Sequence, residues 1–242
     1  MDKPSIYLGT SGLQLPIPKR DFPAGFAEKS RLNFYASLFN TIEINSSFYK
    51  IPQAATLSRW AADVPDGFRF TFKLWKGITH QKGLEFNPDD VARFMEVIDH
   101  ISQRKGCLLV QFPPSLAINA INQLEKLLAS LGTDWPLAVE FRNRSWYTGQ
   151  TYDLLGRFNA FMVLQDIPAS ASPLLPLSDE FVYLRFHGLG GKYRGCYPDD
   201  FLYEYAMYIN EWAGEGKIIY AYFNNTMGDA LKNLATLKRF TA

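Results

Sequence analysis

The feature that most limits the fold of this chain is a regular alternation of short apolar runs with longer amphipathic segments. Eight runs of strand type recur along the sequence, and most are followed by a segment with helical spacing of its apolar residues. Repeated strand-then-helix units predict parallel strands joined by helical crossovers. The eight runs are SIYLGTSG, TIEINSSF, FRFTFKLW, CLLVQF, LAVEFR, FMVLQD, FVYLRFHG and IIYAYFNN.

Several of the segments between these runs carry signals that are typical of helices. The segment that begins at Pro88 repeats apolar residues three or four positions apart, and proline suits the first turn of a helix. The segment that ends at Gly132 has a glycine where helices commonly stop. The predicted helices are EKSRLNFYASLF, PDDVARFMEVIDHI, NAINQLEKLLASLG, PDDFLYEYAMYINEWA and GDALKNLATLKRF.

This repetition predicts an α/β fold, a single (β/α)8 TIM-type barrel with parallel strands. A chain of 242 residues suits the prediction, because ~250 residues are typical of that fold. We expect one domain over residues 1–242, since no long linker divides the chain. An open doubly wound sheet is the alternative, but GTSGLQLPI after the first run lacks the spacing of the dinucleotide-binding fingerprint.

The near balance of charge limits the partners that we expect. Lysine and arginine number 25 against 24 aspartate and glutamate, so the net charge is +1. Such a chain has no general basic field for nucleic acid or an anionic membrane, although a local basic pocket is compatible with it. No apolar stretch approaches the roughly 18 residues of a membrane span. With two cysteines and no disulfide framework, we expect a cytoplasmic protein with no membrane partner.

Charged residues stand at the ends of the strand-like runs, and the run LAVEFR gives the clearest case. Successive residues of a strand face opposite sides. Val139 and Phe141 suit the side covered by helices, so we expect Glu140 and Arg142 on the inner side, near the carboxyl end of the strand. Taken alone, this pair could also be a structural ion pair.

The same alternation places polar side chains on the inner side of most other runs. Burying so many charges in one region is costly for stability unless they serve a site. In barrels of this type the active site lies at the carboxyl ends of the strands. We therefore predict a functional pocket there. Its predicted inner set is Glu43, Lys73, Gln111, Glu140, Arg142, Asp166, Arg185 and His187.

Distinctive sequence motifs are spread over nearly the whole chain. They are GTSG, FNTIEINSSFYKIP, GFRFTFK with ITH, LLVQFPPS, AVEFRNRSW, VYLRFHG and YFNNTMGDAL. Through them the chain resembles the YecE-like family, domain of unknown function 72 (DUF72). The resemblance implies a TIM-type barrel, but no settled activity. The matched positions that it suggests for the site are Glu43, Asn45, Tyr49, Lys73, His80, Gln111, Glu140, Arg142, Trp146, Arg185, His187 and Asn224.

The first functional hypothesis is an enzyme, a hydrolase of phosphoesterase type, that acts on a small phosphorylated or nucleotide-like anion. Glu140 or Glu43 would act as the general base, and His187 would act as a general acid or base near neutral pH. The glycine-rich loop HGLGGKYRG follows the seventh run, where this fold often binds phosphate. The cations that would hold the anion are Arg142, Arg185 and Lys73.

A second hypothesis adds a divalent metal, which acidic and histidine side chains from different strands could bind. Three nearby cations would oppose such an ion, and the sequence has no HxH or HExxH spacing. No cofactor is therefore assigned. The ligands in this hypothesis would be Glu43, Glu140, Asp166 and His187.

Two further alternatives use the same region. Glycoside hydrolysis would need Glu43 and Glu140 as a carboxylate pair, with aromatic side chains that stack on sugar rings. A non-catalytic protein would instead bind a nucleotide or single-stranded nucleic acid through cations and aromatic rings. The aromatic candidates for either function are Tyr49, Trp75, Trp146 and Tyr197.

Overall fold

The computed structural model describes residues 5–241 of the chain, and residues 1–4 and 242 of the predicted domain lie outside the described part. Its strands are β1 (Ile6–Thr10), β2 (Thr41–Ile44), β3 (Arg69–Lys73), β4 (Lys105–Gln111), β5 (Leu137–Glu140), β6 (Ala160–Met162), β7 (Leu164–Gln165), β8 (Phe181–Phe186) and β9 (Ile218–Phe223). Its α-helices are α1 (Arg31–Leu38), α2 (Ser46–Tyr49), α3 (Ala54–Ala62), α4 (Lys76–Thr79), α5 (Pro88–Ile98), α6 (Ile121–Leu131), α7 (Gly149–Arg157), α8 (Asp199–Gly214) and α9 (Ala230–Phe240).

The strands form two sheets in which neighbouring strands run parallel. One sheet has the order β1-β9-β8-β7, and the other has the order β2-β3-β4-β5-β6. An isolated parallel bridge joins Ser11, just after β1, to Glu43 in β2. The predicted α/β fold with parallel strands is confirmed. The described residues form two hydrogen-bonded sheets, of four and five strands. The closed eight-stranded barrel predicted from the sequence is therefore not shown by these strand pairings.

The predicted run FMVLQD is divided between the two sheets. Its first half is β6, which pairs with β5, and its second half is β7, which pairs with β8. Val163 stands between them, and its amide still donates a hydrogen bond to the carbonyl of Val139 at 2.9 Å. One predicted strand therefore contributes to both sheets.

Apolar residues pack on both faces of the sheets. Outward-facing residues such as Val110, Val139 and Leu184 join the helices in the larger core cluster. This alternation matches the faces predicted from the sequence. A smaller cluster of alternate strand residues fills the inner face, and its buried members are Tyr7, Cys107, Leu109, Ala138, Phe161, Val163, Tyr183, Tyr220 and Tyr222.

The five helices predicted from spacing are present as α1, α5, α6, α8 and α9, whereas the short helices α2 and α4 and the longer α3 and α7 were not predicted. Pro88 lies in the first turn of α5, and the side chain of Asn87 accepts a hydrogen bond from the amide of Asp89 at 3.0 Å. Gly132 follows α6 with a φ of 70°. Across residues 5–241, we find no helix that combines the length and the hydropathy needed to span a membrane.

Candidate functional site

A buried arginine between two buried glutamates forms the centre of the candidate site. Arg185 Nη2 donates to Glu43 Oε1 at 2.7 Å, and Arg185 Nη1 donates to Glu140 Oε2 at 2.5 Å. The three residues are at most 1% exposed. They come from β8, β2 and β5, so one guanidinium links the two sheets. The rest of the site is built around this group, which we call the Glu–Arg–Glu cluster.

Glu43 is enclosed by donors in addition to Arg185. Ser11 Oγ donates to its Oε1 at 2.6 Å, and the Tyr183 hydroxyl donates to its Oε2 at 2.6 Å. Burial by itself would raise the pKa of Glu43, but the Arg185 guanidinium and these hydrogen bonds outweigh it and lower the pKa. Glu43 is therefore ionised at neutral pH, with both oxygens occupied.

Glu140 is bound by two guanidinium groups. Arg142 Nε donates to one carboxylate oxygen, and Arg185 Nη1 donates to the other. Burial would raise the pKa of Glu140, but Arg142 and then Arg185 hold it well below its usual range. A carboxylate in this state has no proton to donate, and its oxygens are already in use. Glu140 is thus placed to orient Arg142.

His187 connects both arginines to Asp166. Asp166 Oδ1 accepts from the His187 amide at 2.8 Å and lies 3.3 Å from Nδ1, which assigns the ring proton to Nδ1. The bare Nε2 then accepts from Arg142 Nη2 at 3.0 Å and from Arg185 Nη1 at 3.2 Å. Burial lowers the pKa of His187, in keeping with a neutral ring. This geometry favours an orienting role for His187 over proton transfer.

Tyr197 supports Asp166 from the other side. Its hydroxyl donates to Asp166 Oδ2 and accepts from the Gly188 amide at 2.5 Å. The ring is only 1% exposed and packs against Phe186 and Phe201. Tyr197 therefore fixes Asp166 and the loop after β8. This corrects the expectation that its ring is available to stack on a ligand.

Lys73 differs from the other charged residues of the site. It is half-buried at the end of β3, with Nζ 4.1 Å from the centre of the Phe48 ring. Within residues 5–241, Nζ has no hydrogen-bond partner and no carboxylate within 4.0 Å. Burial and the Arg185 charge lower the pKa of Lys73 to about 8, although Glu140 and Glu43 act in the opposite direction.

A more exposed layer of residues lies at the strand ends around Lys73. The His80 ring packs edge-on against Phe48 at 4.9 Å, and Tyr49 is 67% exposed. Burial and the charges of Lys73, Lys76 and Arg142 lower the pKa of His80 to about 4. Asn45 and Asn224 are half-buried at the ends of β2 and β9. Asn45 Oδ1 is buried with no hydrogen-bond partner among the described residues.

Two predicted ligand-binding residues have structural partners instead. Trp146 is fully buried, its Nε1 donates to the carbonyl of Leu116 at 2.7 Å, and its ring stacks on Phe141 at 4.7 Å. This corrects the expectation that Trp146 lines the pocket, because the short turn after β5 directs it back into the helix-facing core. Gln111 faces inward but is 7% exposed, and its Nε2 donates to the carbonyl of Phe112 at 2.7 Å.

Three residues that sequence reasoning left out also contribute. Ser11 and Tyr183 hold Glu43, and Phe48 supports the ammonium of Lys73. Tyr183 lies two residues before Arg185 in β8 and therefore shares its inner face. Strand alternation could thus have predicted Tyr183 as a residue of the site. Ser11 follows β1 and Phe48 lies in the short helix α2, where strand alternation gives no guidance.

The glycine-rich loop after β8 is folded back against the strand ends. Gly188 has a φ of 87°, and a side chain there would lie 2.2 Å from the Arg194 carbonyl oxygen, so the position requires glycine. The Tyr193 amide donates to the His187 carbonyl at 2.9 Å, and the Met227 amide donates to the Tyr193 carbonyl at 3.0 Å. The loop backbone is thereby tied to the strand that leads into His187.

The described side chains of the site do not supply a donor set for a metal ion. In the part of the chain that the structure describes, no group of three or more His, Cys, Asp or Glu side chains is arranged to hold a metal ion. Glu43 and Glu140 are turned to guanidinium groups, which leaves Asp166 and His187 as a pair. The residues present therefore do not fit the divalent-metal hypothesis.

These observations define a class of protein, a parallel α/β fold with an ionic cluster where the strands end. The chain belongs to the DUF72 family, whose sequence model, described as a protein of unknown function, matches residues 7–242. The resemblance found in the sequence is confirmed.

Curated relatives and solved structures agree with this assignment. The chain is 29% identical to UPF0759 protein YunF of Bacillus subtilis (strain 168), over 94% of this chain and 92% of the relative. It is 30% identical to UPF0759 protein YecE of Escherichia coli (strain K12), over 52% and 47% of the two chains. A DUF72 protein of Enterococcus faecalis V583 superposes with a TM-score of 0.83 at 24% identity, over 98% of this chain and 95% of that one. A DUF72 protein of Thermotoga maritima MSB8 gives 0.78 at 25% identity, over 97% and 98%.

Proposed function

We propose that the chain is a single-domain, cytoplasmic enzyme of the (β/α)8-barrel type that acts on a small anionic substrate at the carboxyl ends of its strands. Barrel closure is supported by the Ser11–Glu43 bridge between the sheets and by Arg185, which contacts carboxylates of the opposite sheet. Only Val163 separates β6 from β7. The family match over residues 7–242 supports a single domain.

The observation that carries this proposal is the local excess of positive charge around His80. Three cations, Lys73, Lys76 and Arg142, act together on its ring. Among residues 5–241, neither Lys73 nor Lys76 has a carboxylate within 4.0 Å, while the nearby Glu43 and Glu140 are neutralised by guanidinium groups. A phosphoryl or carboxylate group at this position would meet cations and no free anion.

The proposed roles of the charged residues follow from their partners. Glu140 and His187 orient Arg142, whose guanidinium side chain is 10% exposed and is the proposed anion ligand. Lys73, beside the Glu–Arg–Glu cluster, can release a proton near neutral pH, because its pKa is lowered to about 8. A hydrolase of phosphoesterase type stays a prediction, with Lys73 in place of Glu140 as its proton acceptor.

Glycoside hydrolysis receives less support from the same geometry. That reaction needs one carboxylic acid whose pKa is raised so that it can protonate the leaving group. In this protein Arg185 lies between Glu43 and Glu140, and the pKa of each is lowered. Both carboxylates are 0% exposed as well.

Calorimetric titration with orthophosphate and with ADP tests the proposed anion site. We expect binding by the unaltered protein and at least about tenfold weaker binding by Arg142→Gln, because a hydrogen bond to a charged group contributes about 1.5–3 kcal/mol. Arg142→Lys keeps the charge and should retain part of the affinity. The control is Arg157→Gln, an exposed arginine on α7 that pairs with Glu125. Absence of binding, or equal affinity in Arg142→Gln and Arg157→Gln, contradicts the proposal.

A second candidate is a non-catalytic protein that binds a nucleotide or single-stranded nucleic acid. The observation that favours it is the 67% exposure of Tyr49, whose ring lies 5.5 Å from Lys76 Nζ. Fluorescence anisotropy with a labelled oligothymidine separates the two functions. Loss of oligonucleotide binding in Tyr49→Ala, with unchanged orthophosphate binding, would favour this second function.

A further inference from the structure

We propose that Lys73 is a nucleophilic amine that forms a Schiff base with a small anionic carbonyl compound, such as a 2-oxo acid or a phosphorylated aldehyde. The inference rests on the anion site proposed above and names the class of substrate that it takes. It assigns to the site a covalent role that none of the buried carboxylates can fill.

The placement of Lys73 is the first argument. A lysine that serves stability at a half-buried position normally pairs with a carboxylate. Glu43 and Glu140 are close enough to influence Lys73, yet Arg185 and Arg142 occupy their oxygens. Among the described residues, Lys73 Nζ therefore has no ion pair, although the two carboxylates of the Glu–Arg–Glu cluster lie nearby.

The support beneath Lys73 is the second argument. Ser47 Oγ lies 2.8 Å from the Ile44 carbonyl oxygen and 2.7 Å from the Lys73 carbonyl oxygen, so α2 is fixed against the end of β3. This arrangement holds the ring of Phe48 4.1 Å from Nζ. An aromatic face stabilises an ammonium without accepting a conventional hydrogen bond. After loss of a proton, the nitrogen lone pair is therefore free to attack.

The third argument is the effect of burial and neighbouring charge on the pKa of Lys73. Burial and Arg185 lower the pKa of Lys73 to about 8, so about a tenth of the amine is neutral at pH 7. An ordinary lysine, with a pKa of about 10.4, has a neutral fraction a few hundredfold smaller. Lowering the pKa by desolvation and a neighbouring cation is an established way to activate a lysine toward carbonyl groups.

The reaction balances without a further reactant. The neutral amine attacks the carbonyl carbon, and the two amine protons leave with the carbonyl oxygen as water. The C=N bond replaces the C=O bond, and protonation of the imine by solvent restores a positive charge at Lys73. Arg142, whose charge acts on Lys73, is the proposed ligand of the anionic group of the substrate.

Borohydride trapping tests the proposal on the full-length protein. Pyruvate and glyoxylate serve as probes, and sodium borohydride converts any imine into a stable secondary amine located by peptide mass spectrometry. The control variant is Lys126→Arg, which removes an exposed lysine on α6 and should leave the labelling of Lys73 unchanged. We expect at least about tenfold faster labelling of Lys73 than of Lys76, with a rate that rises through pH 8. Lys73→Arg keeps the positive charge, so it should abolish that label and retain at least part of the orthophosphate affinity.

The outcomes separate this inference from the proposed function. If orthophosphate binds and Lys73 is not labelled by either probe, or is labelled no faster than Lys76, the Schiff base is refuted and the anion site stands. If orthophosphate does not bind, the anion site itself fails. Labelling of Lys73 that also survives saturation with orthophosphate would separate the amine from the anion site and overturn the inference as stated.

Discussion

Replacement of Arg185 by methionine should destabilise this protein more than almost any other single charge removal. The change leaves Glu43 and Glu140, both 0% exposed, without the guanidinium that joins them. Glu43 keeps its hydrogen bonds from Ser11 and Tyr183, and Glu140 keeps Arg142. Removal of one member of a buried ionic group typically costs about 3–5 kcal/mol.

Urea unfolding at pH 7 measures this loss, and a thermal scan should show a fall of about 6–20 °C for a chain of this length. At lower pH the loss of stability in Arg185→Met should be smaller, because Glu43 and Glu140, without their arginine partner, can then take up protons. Arg157→Met is the matched control. Its exposed pair with Glu125 should contribute less than about 1 kcal/mol. A loss in Arg185→Met no larger than in the control would refute the reasoning.

Two further predictions concern pH. Lys73→Met should raise the free energy of unfolding at pH 7 by at most about 3 kcal/mol, because the lowered pKa of Lys73 shows that its charge is unfavourable in the fold. Urea titrations should show this gain in unfolding free energy shrinking as the pH rises from about 8 to 10.5. A gain that does not change with pH would contradict the prediction. Glu43 and Glu140 have lowered pKa values, so their stabilisation is complete above about pH 5 and is lost as the pH falls below the unfolded value of about 4.3. The acid-induced fall in the urea midpoint should be smaller in Glu43→Gln/Glu140→Gln, and an equal fall would exclude these carboxylates as its cause.

The alternation of strand residues was sufficient to predict which side chains share the inner face. It placed Glu43, Glu140 and Arg185 together although they are far apart in sequence, because parallel strand ends meet on one side. It could not predict the pairing among them. The pairing of each guanidinium with a carboxylate oxygen depends on strand register and on side-chain length. Alternation along a strand predicts only the face on which a residue lies, so it gives neither.

Predictions failed where the chain leaves regular strands. Trp146 was expected in the pocket, but a short 3-10 turn after β5 reverses its direction and buries it against Phe141. Helix α3 was missed although Leu57, Trp60 and Ala61 keep helical spacing, because that pattern extends over only nine residues. Helix α7 begins with Gly149 and contains Gly156, and glycine is a poor helix former.

The link that Arg185 makes between the sheets has a consequence for how the chain folds during synthesis. The strands β2 to β6 are complete once residue 162 has emerged, but Glu43 and Glu140 cannot leave water until Arg185 arrives later. β1 must also wait for β9 as its hydrogen-bonded neighbour. The nascent chain should therefore keep its inner face hydrated, and the joining of the two sheets through Arg185 becomes a late event governed by contacts between distant parts of the sequence.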